Sequence, residues 1–320
     1  MIFVFISILI SMTISHYLLV WIKPLLTRRN LDIPNNRSSH LIPKPKSGGI
    51  AFIFSSLIGV IIDLLLNGIN PTIIIFLISY PLSFLGFLDD KFNIKIHYRF
   101  TIQVLFAALI IYFSPINISN ILLVPLFILS IVSIINFINF MDGIDGLVAG
   151  SLLIYLFVQN ILIGSSISSW YLVGGLIAFL FWNWSPAKIF MGDTGSIFLG
   201  GIYAAMALQN KSLSSSFFSL FISFPLLIDA LTCVIRRWQS KQNIFLAHKS
   251  HLYQRLHQAG WSHSKVSLLY ILGTLLNSLA YLGIGAKGLI FLSIIELLIG
   301  IILDKYFAKS FSIVIAEAQN

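Results

Sequence analysis

Apolar runs of roughly 17 to 22 residues recur along the whole of this chain, each long enough to cross a hydrocarbon layer about 30 Å thick. Within such a layer every backbone N–H and C=O must find its partner inside the protein. A chain made of these runs therefore folds as a helix bundle and not as an open sheet. Hydrophobic residues make up 58% of the 320 and charged residues 10%, too apolar a balance for a water-soluble domain of this size. The expected fold is an all-α, polytopic integral membrane protein. The single cysteine, Cys233, sits in an apolar stretch, can make no internal disulfide, and is read as an inert core residue.

Eleven spans can be drawn, at roughly 1–22, 50–66, 72–88, 101–114, 120–140, 147–163, 169–183, 195–210, 215–235, 266–284 and 289–304. The fourth is short enough to be tilted or re-entrant, so the expectation is about 10 to 11 transmembrane helices. The first run has no basic residue before it and no small-residue cleavage site after it, and is read as a retained span. With the N-terminus outside, 18 of the 20 Lys and Arg fall on the cytoplasmic side, leaving only Lys211 and Lys287 on the other. That asymmetry predicts an N-terminus outside and a C-terminus in the cytoplasm. It also accounts for the formal charge of +9 without nucleic acid. The outer connections are a few residues of turn chemistry, whereas the inner loops after the first and ninth spans run roughly 25 to 30 residues. No internal repeat or composition break divides the chain, so residues 1–320 are read as one membrane-embedded domain with its chemistry facing the cytoplasm.

Five of the eleven carboxylates fall in three clusters on that inner side. Asp89-Asp90-Lys91 closes the third span; adjacent carboxylates at a helix C-terminus oppose both each other and the helix dipole, and a divalent cation between them and a phosphate relieves the repulsion. Lys91, Lys95 and Arg99 follow, as phosphate-holding groups or as topology markers only. The second cluster, Asn136, Asn139, Asp142 and Asp145, repeats every three residues and winds a polar stripe along one helix into a turn with Gly143 and Gly146. An Asp-Gly turn explains the glycines but not two intramembrane asparagines. The third, Met191-Gly192-Asp193-Thr194-Gly195-Ser196, sets an acidic residue at a helix start, either as an N-cap or beside a bound phosphate.

Two basic loops complete the inner face. One carries Arg37-Ser38-Ser39-His40 and Lys44-Pro45-Lys46-Ser47-Gly48-Gly49; the other carries His248, His251 and Arg255, all suited to anionic oxygens. Zinc is disfavoured for the histidine set His248, His251, His257 and His263, because no cysteine lies nearby in the sequence and the spacing matches no recognised ligand pattern.

Taken in order, Arg37 to His40 with Pro45 to Gly49, Asp89-Asp90, Asn136 to Gly146, Met191 to Ser196 and the histidine loop make the chain similar to the polyprenyl-phosphate N-acetylhexosamine-1-phosphate transferases, from Asp32 to about Leu256. The resemblance implies transfer of a sugar-1-phosphate from a UDP-N-acetylated sugar to a polyprenyl phosphate, undecaprenyl phosphate, in the bacterial inner membrane, with release of UMP. It implies a Mg²⁺ requirement, with Mn²⁺ as a substitute. Carried over residue by residue, it makes Asp193 and Asn139 the metal site and Asp89, Asp90, Asp142 and Asp145 the catalytic carboxylates. Arg37, Lys46, Asn136, His248, His251 and Arg255 become substrate-binding groups. The resemblance also implies a homodimer, as related enzymes form.

The peptidoglycan branch of that family, which transfers phospho-N-acetylmuramoyl-pentapeptide, carries adjacent histidines in the last inner loop, whereas here Lys249-Ser250 separates His248 from His251. The loop resembles more closely the enzymes that begin O-antigen and related surface glycans, which favours UDP-N-acetylglucosamine or a 6-deoxy N-acetylated sugar. Phospho-N-acetylmuramoyl-pentapeptide transfer is the alternative within the family. From a different class, an ion-coupled transporter is suggested by Asp63, Asp229 and Glu296 in or near the second, ninth and eleventh spans.

Overall fold

The computed structural model describes residues 2–34, 39, 42–92, 94–116, 120–164, 166–244, 246 and 248–319. Among them the chain runs α1 (Ile2–Arg29), β1 (Leu31–Asp32), β2 (Lys44–Pro45), α2 (Ile50–Asn67), α3 (Pro71–Phe92), α4 (Ile96–Tyr112) and α5 (Val124–Met141). It continues through α6 (Leu147–Ile163), α7 (Ile167–Asn183), α8 (Gly192–Ala207), α9 (Leu213–Phe221), α10 (Phe224–Gln239), α11 (Leu252–Gln258), α12 (His263–Ile284), α13 (Ala286–Tyr306) and α14 (Phe311–Gln319). The all-α, multi-span membrane architecture is thus observed. The only described strands are the two-residue pair β1 and β2, antiparallel with Leu31 opposite Pro45. Apolar runs become helices because that conformation alone satisfies the backbone within one segment. Gly285, at φ 80°, joins α12 to α13 in a single residue, where a side chain would strain the link.

Helix α8 is the hub. Every side chain from Thr194 to Ala207 is buried, with α3 and α5 packed along it, while α1 and α2 lie against α7, and α12 against α6 and α13. Phe198 stacks on Tyr80 of α3 at 5.8 Å and approaches Phe52 of α2 at 6.4 Å, so aromatic contacts tie the first helices to the hub. Small residues allow the backbones to close. A Cβ on Gly86 of α3 would run into the carbonyl of Asp193, and one on Gly200 would stand 2.9 Å from Ile135 Cα of α5. Large apolar side chains such as Phe5, Leu105, Leu279 and Phe291 face outward, as lipid requires.

Among the described residues six helices are long and apolar enough to cross a membrane, or seven if the bent pair α9–α10 is one span. The shorter α4, α6, α7 and α8, at 16 or 17 residues, rise only about 25 Å. The single ninth span expected over 215–235 is instead two helices meeting at 84°. Pro225, without an N–H, occupies the first turn of α10, where its missing donor is tolerated, and α10 carries Asp229, Arg236 and Arg237 rather than a purely apolar surface.

The three carboxylates behind the transporter reading are each absorbed by local packing. Asp63 accepts from Asn67 Nδ2 at 2.9 Å and from Ser168 Oγ at 2.8 Å, clasping α2 to α7. Asp229 accepts the backbone N–H groups of Leu252 and Tyr253 and the Tyr270 hydroxyl, and Glu296 accepts from Asn277 Nδ2 at 2.8 Å.

Replacing Gly86 with Ala is expected to lower stability by about 1–3 kcal/mol, because the obstacle is backbone and cannot rotate aside. Thermal unfolding of the purified variant in detergent checks this. An unchanged midpoint contradicts the close approach of α3 to α8.

Candidate active site

The C-terminus of α3 and the N-terminus of α8 meet where Gly86 lets them touch, and Asp90 completes the junction. Its carboxylate accepts from the Asp193 N–H (3.1 Å), the Thr194 N–H (3.2 Å), Thr194 Oγ1 (2.7 Å) and Ser47 Oγ (2.6 Å), with Lys46 Nζ at 3.8 Å. Asp90 thus caps α8 from a different helix, satisfying N–H groups that the helix leaves open and meeting the positive end of its dipole. Lys46 and Ser47 reach this point because the Lys44–Gly49 stretch is hydrogen-bonded onto the 190–191 loop. Phe190 N donates to Pro45 O, Gly48 N to Phe190 O and Gly49 N to Met191 O.

Asp89, on the next face of α3, is buried and accepts the Ile94 N–H at 2.7 Å. Arg99 of α4 spans two carboxylates, its Nη1 2.5 Å from Asp89 Oδ2 and 3.6 Å from Asp193 Oδ2. The Asp89 and Asp193 carboxyls are themselves within hydrogen-bonding reach of each other. Asn139 of α5 donates from Nδ2 to Asp193 Oδ1 and to Ser196 Oγ, both at 2.9 Å, which leaves its carbonyl oxygen as the atom it can offer a cation. The Asp193 side chain is 33% exposed, against 6% for Asp89 and 4% for Asp90, so Asp193 is the carboxylate at the opening. Asn136, one turn back on α5, donates to Gln103 Oε1 of α4 at 2.8 Å and so ties α5 to α4.

The turn after α5 carries two carboxyls in opposite electrostatic states. Asp142, half-buried, is pushed up to about 8, first by desolvation and then by the negative charges of Asp193, Asp90, Asp32 and Asp145. Burial also works against ionised Asp145, but the His263 imidazole, the Ala187 N–H at 2.9 Å and the Lys44 ammonium at 3.9 Å outweigh it and hold this carboxyl below its ordinary range. Asp145 therefore clamps the turn to the 184–191 loop and to the start of α12, where His263 Nδ1 stands 3.2 Å from its Oδ1. Gly143 leaves room for the Tyr253 hydroxyl, which donates to Phe140 O at 2.9 Å.

The histidine loop packs behind this turn. His251 is buried and stands 3.8 Å from Asp229 Oδ1 through its Nδ1, with its ring 6.1 Å from that of Phe140. Burial lowers His248 to about 3, helped by the nearby His251 and Arg237 charges, so its imidazole is neutral. Burial also opposes protonation of His251, but the Cys233 sulfur and the Asp229 carboxylate prevail and push it up to about 10. Arg255 is buried too; it donates to Ser250 O and Lys309 O and pairs with Asp304.

The sequence-derived candidates thus separate into groups. Asp89, Asp90, Asp193, Asn139 and Lys46 converge, with Asp142 near enough to feel the charges of Asp90 and Asp193. Asp145 and Asn136 brace the surrounding elements, and His251 and Arg255 sit in the packing among α10, α11 and α13. Arg37 lies outside the described residues. The contacts of Thr194 with Asp90, Gln103 with Asn136, His263 with Asp145 and Tyr253 with Phe140 have no signal in the sequence, and for Arg99, which spans Asp89 and Asp193, the one signal is its place among basic residues. Contrary to the expectation that no cysteine lies near the histidines, α10 brings Cys233 beside His248 and His251.

A family model described as glycosyl transferase family 4 matches residues 72–211, the stretch holding all three carboxylate clusters. The probable undecaprenyl-phosphate N-acetylglucosaminyl 1-phosphate transferase of Bacillus subtilis is 32% identical over 299 residues, covering 84% of this chain and 82% of the relative. The phospho-N-acetylmuramoyl-pentapeptide-transferase of Staphylococcus carnosus is 27% identical over 278 residues, covering 75% of this chain and 85% of that one. A protein of the same description from Desulforudis audaxviator is 38% identical over 120 residues, 37% of this chain and 34% of its own. A multi-span membrane transferase is what the fold and these likenesses define. The chain belongs to glycosyl transferase family 4.

With a carboxyl pushed up to about 8, ionising Asp142 costs folded stability progressively from pH about 4, its ordinary range, to about 8, and the cost is constant above that. The thermal midpoint of the ligand-free protein is accordingly expected to fall over that window, and Asp142→Asn to flatten the fall. Identical pH profiles for the two proteins contradict the assignment.

Proposed function

We propose that this protein transfers an N-acetylated sugar-1-phosphate from a UDP-sugar to undecaprenyl phosphate at the cytoplasmic face of the bacterial inner membrane, releasing UMP and starting a cell-envelope glycan. The observation that carries this reading is the convergence of Asp89, Asp90, Asp193 and Asn139 at one helix junction, ringed by Lys46 and Arg99. The named activity of the Bacillus subtilis relative, matched over most of both chains, supports it and favours N-acetylglucosamine as the sugar. The one-sided distribution of basic residues supports an N-terminus outside and a site that faces the cytoplasm.

The donor set fits Mg²⁺. Hard oxygen ligands cluster at Asp193, Asp89 and the Asn139 carbonyl, and two carboxyls already lie within hydrogen-bonding reach of each other, an arrangement that a divalent cation relieves. When bound, Mg²⁺, or Mn²⁺ in its place, neutralises the diphosphate and eases departure of UMP.

The protein's own groups supply the rest. Lys46 and Arg99 balance charge where two anionic substrates must meet, Asp90 fixes the first turn of α8 and with it Asp193, and Asp145 fixes the turn carrying Asp142. Asp142, with a carboxyl pushed up to about 8, ionises in a growing fraction of molecules as pH rises toward 8, and in that form is suited to accept the proton of the lipid phosphate. Attack of that phosphate oxygen on the sugar-linked phosphorus then forms the lipid-linked diphosphate and breaks the bond to UMP.

Purified protein given undecaprenyl phosphate, Mg²⁺ and UDP-N-acetylglucosamine is expected to release UMP only with lipid present and to stop with EDTA. Asp193→Asn and Asp89→Asn should each lose at least about 100-fold in rate while remaining folded. Near-wild-type rates in both variants overturn the site. UMP release with UDP-N-acetylmuramoyl-pentapeptide alone transfers the reading to the peptidoglycan reaction.

A further inference from the structure

Apart from the acidic junction, one other group of potential metal-ligating side chains stands together among the described residues. Cys233 of α10 and His248 and His251 of the following loop each offer one ligand atom, and these atoms lie within 4.8 Å of one another. Cys233 and His251 are buried, at 3% and 2% exposure. Nδ1 of His251 makes no hydrogen bond, and the nearest carboxylate oxygen recorded for it, Asp229 Oδ1, stands 3.8 Å away.

We propose that Cys233, His248 and His251 hold a zinc ion, with the fourth position open to water and Asp229 as the outer carboxylate beside His251. The geometry is that of a soft, mixed nitrogen–sulfur site. Two imidazoles on one tetrahedral ion, with Zn–N near 2.0 Å, keep their ring centres about 5 Å apart; those of His248 and His251 are 5.0 Å apart. Asp229 Oδ1, which accepts the Leu252 N–H, faces His251 Nδ1 at 3.8 Å and leaves the other ring nitrogen of His251 for the ion, as a carboxylate behind a ligating histidine does. The Ser250 hydroxyl, 2.9 Å from His248 Nδ1, orients that ring so that its other nitrogen is the ligand, the outer partner that ligating histidines ordinarily have.

The charges also balance. The Cys233 thiolate and the outer Asp229 carboxylate together offset a divalent ion, which lowers the cost of burying it. The set lacks the all-oxygen character that Mg²⁺ takes and has the sulfur and imidazole that zinc selects. Its position gives the ion a structural task. It would pin the loop after α10 to α10 itself, and from that loop Tyr253 reaches Phe140, two residues before Asp142. Zinc here would therefore set the back wall of the acidic site without touching substrate.

Cys233 is the only cysteine in the chain, which makes the test direct. Untagged protein purified in detergent without chelators is expected to retain about one zinc per chain by elemental analysis after dialysis. Cys233→Ser and His248→Ala should each weaken zinc retention at least tenfold, roughly the size seen when a site loses a supporting group. Exchange of the wild-type ion for Co²⁺ needs no variant to fold. A thiolate-to-cobalt charge-transfer band can come only from Cys233, and zinc should protect that thiol from alkylation until a strong chelator removes it. Zinc-free protein that gives no such band when Co²⁺ is supplied overturns the proposal. So does bound zinc with no band and no dependence on Cys233.

Discussion

The carboxylate of Asp90 sits on the first turn of α8, and the arrangement of the inner face depends on that contact. A helix N-terminus within a membrane protein presents unpaired N–H groups and a partial positive charge, and a carboxylate from a neighbouring helix answers both. By accepting from Asp193 N, Thr194 N, Thr194 Oγ1 and Ser47 Oγ, Asp90 locks α3, α8 and the Lys44–Gly49 stretch into one body. Asp193 then has one position, beside Asp89, Arg99 and Asn139. Two adjacent aspartates on α3 consequently do different work: one holds the helix junction and the other faces the charge cluster.

The surrounding carboxylates are sorted by the same competition between burial and partners. Asp145 is buried yet acidic because a histidine, a lysine and a backbone N–H surround it; Asp142, three residues earlier, has carboxylate neighbours instead and keeps its proton to near neutral pH. Negative charge that the protein does not neutralise is concentrated at the opening, where anionic substrates and a divalent cation would meet. Conversely, the isolated Asp63, Asp229 and Glu296 are each provided with hydrogen-bond donors and serve packing.

Much of this was legible in the sequence. The helical membrane class follows from apolar run length, and the three carboxylate clusters stand out because charge beside lipid is expensive. The pairing of Asn139 with Asp193 was also expected. What could not be read were contacts between residues distant in the chain. Arg99 looked as much like a topology marker as a site residue, His263 gave no sign that it lay against Asp145, and Arg255 looked free for phosphate although Asp304, 49 residues on, occupies it. Hydropathy also joined α9 and α10 into one span, since a window average does not register a bend placed by Pro225. The same bend carries Cys233 back to the histidine loop, a meeting that ligand spacing along the chain gives no means to foresee.

The central claim, that the α3–α8 junction is a divalent-cation site built on Asp193, is tested most directly by titrating the purified protein with Mn²⁺ and following the free ion by electron paramagnetic resonance. The account predicts one Mn²⁺ bound per chain, displaced by excess Mg²⁺ and lost in Asp193→Asn while Cys233→Ser retains it. Binding that survives Asp193→Asn unchanged, or no Mg²⁺-displaceable binding in the wild type, would contradict it.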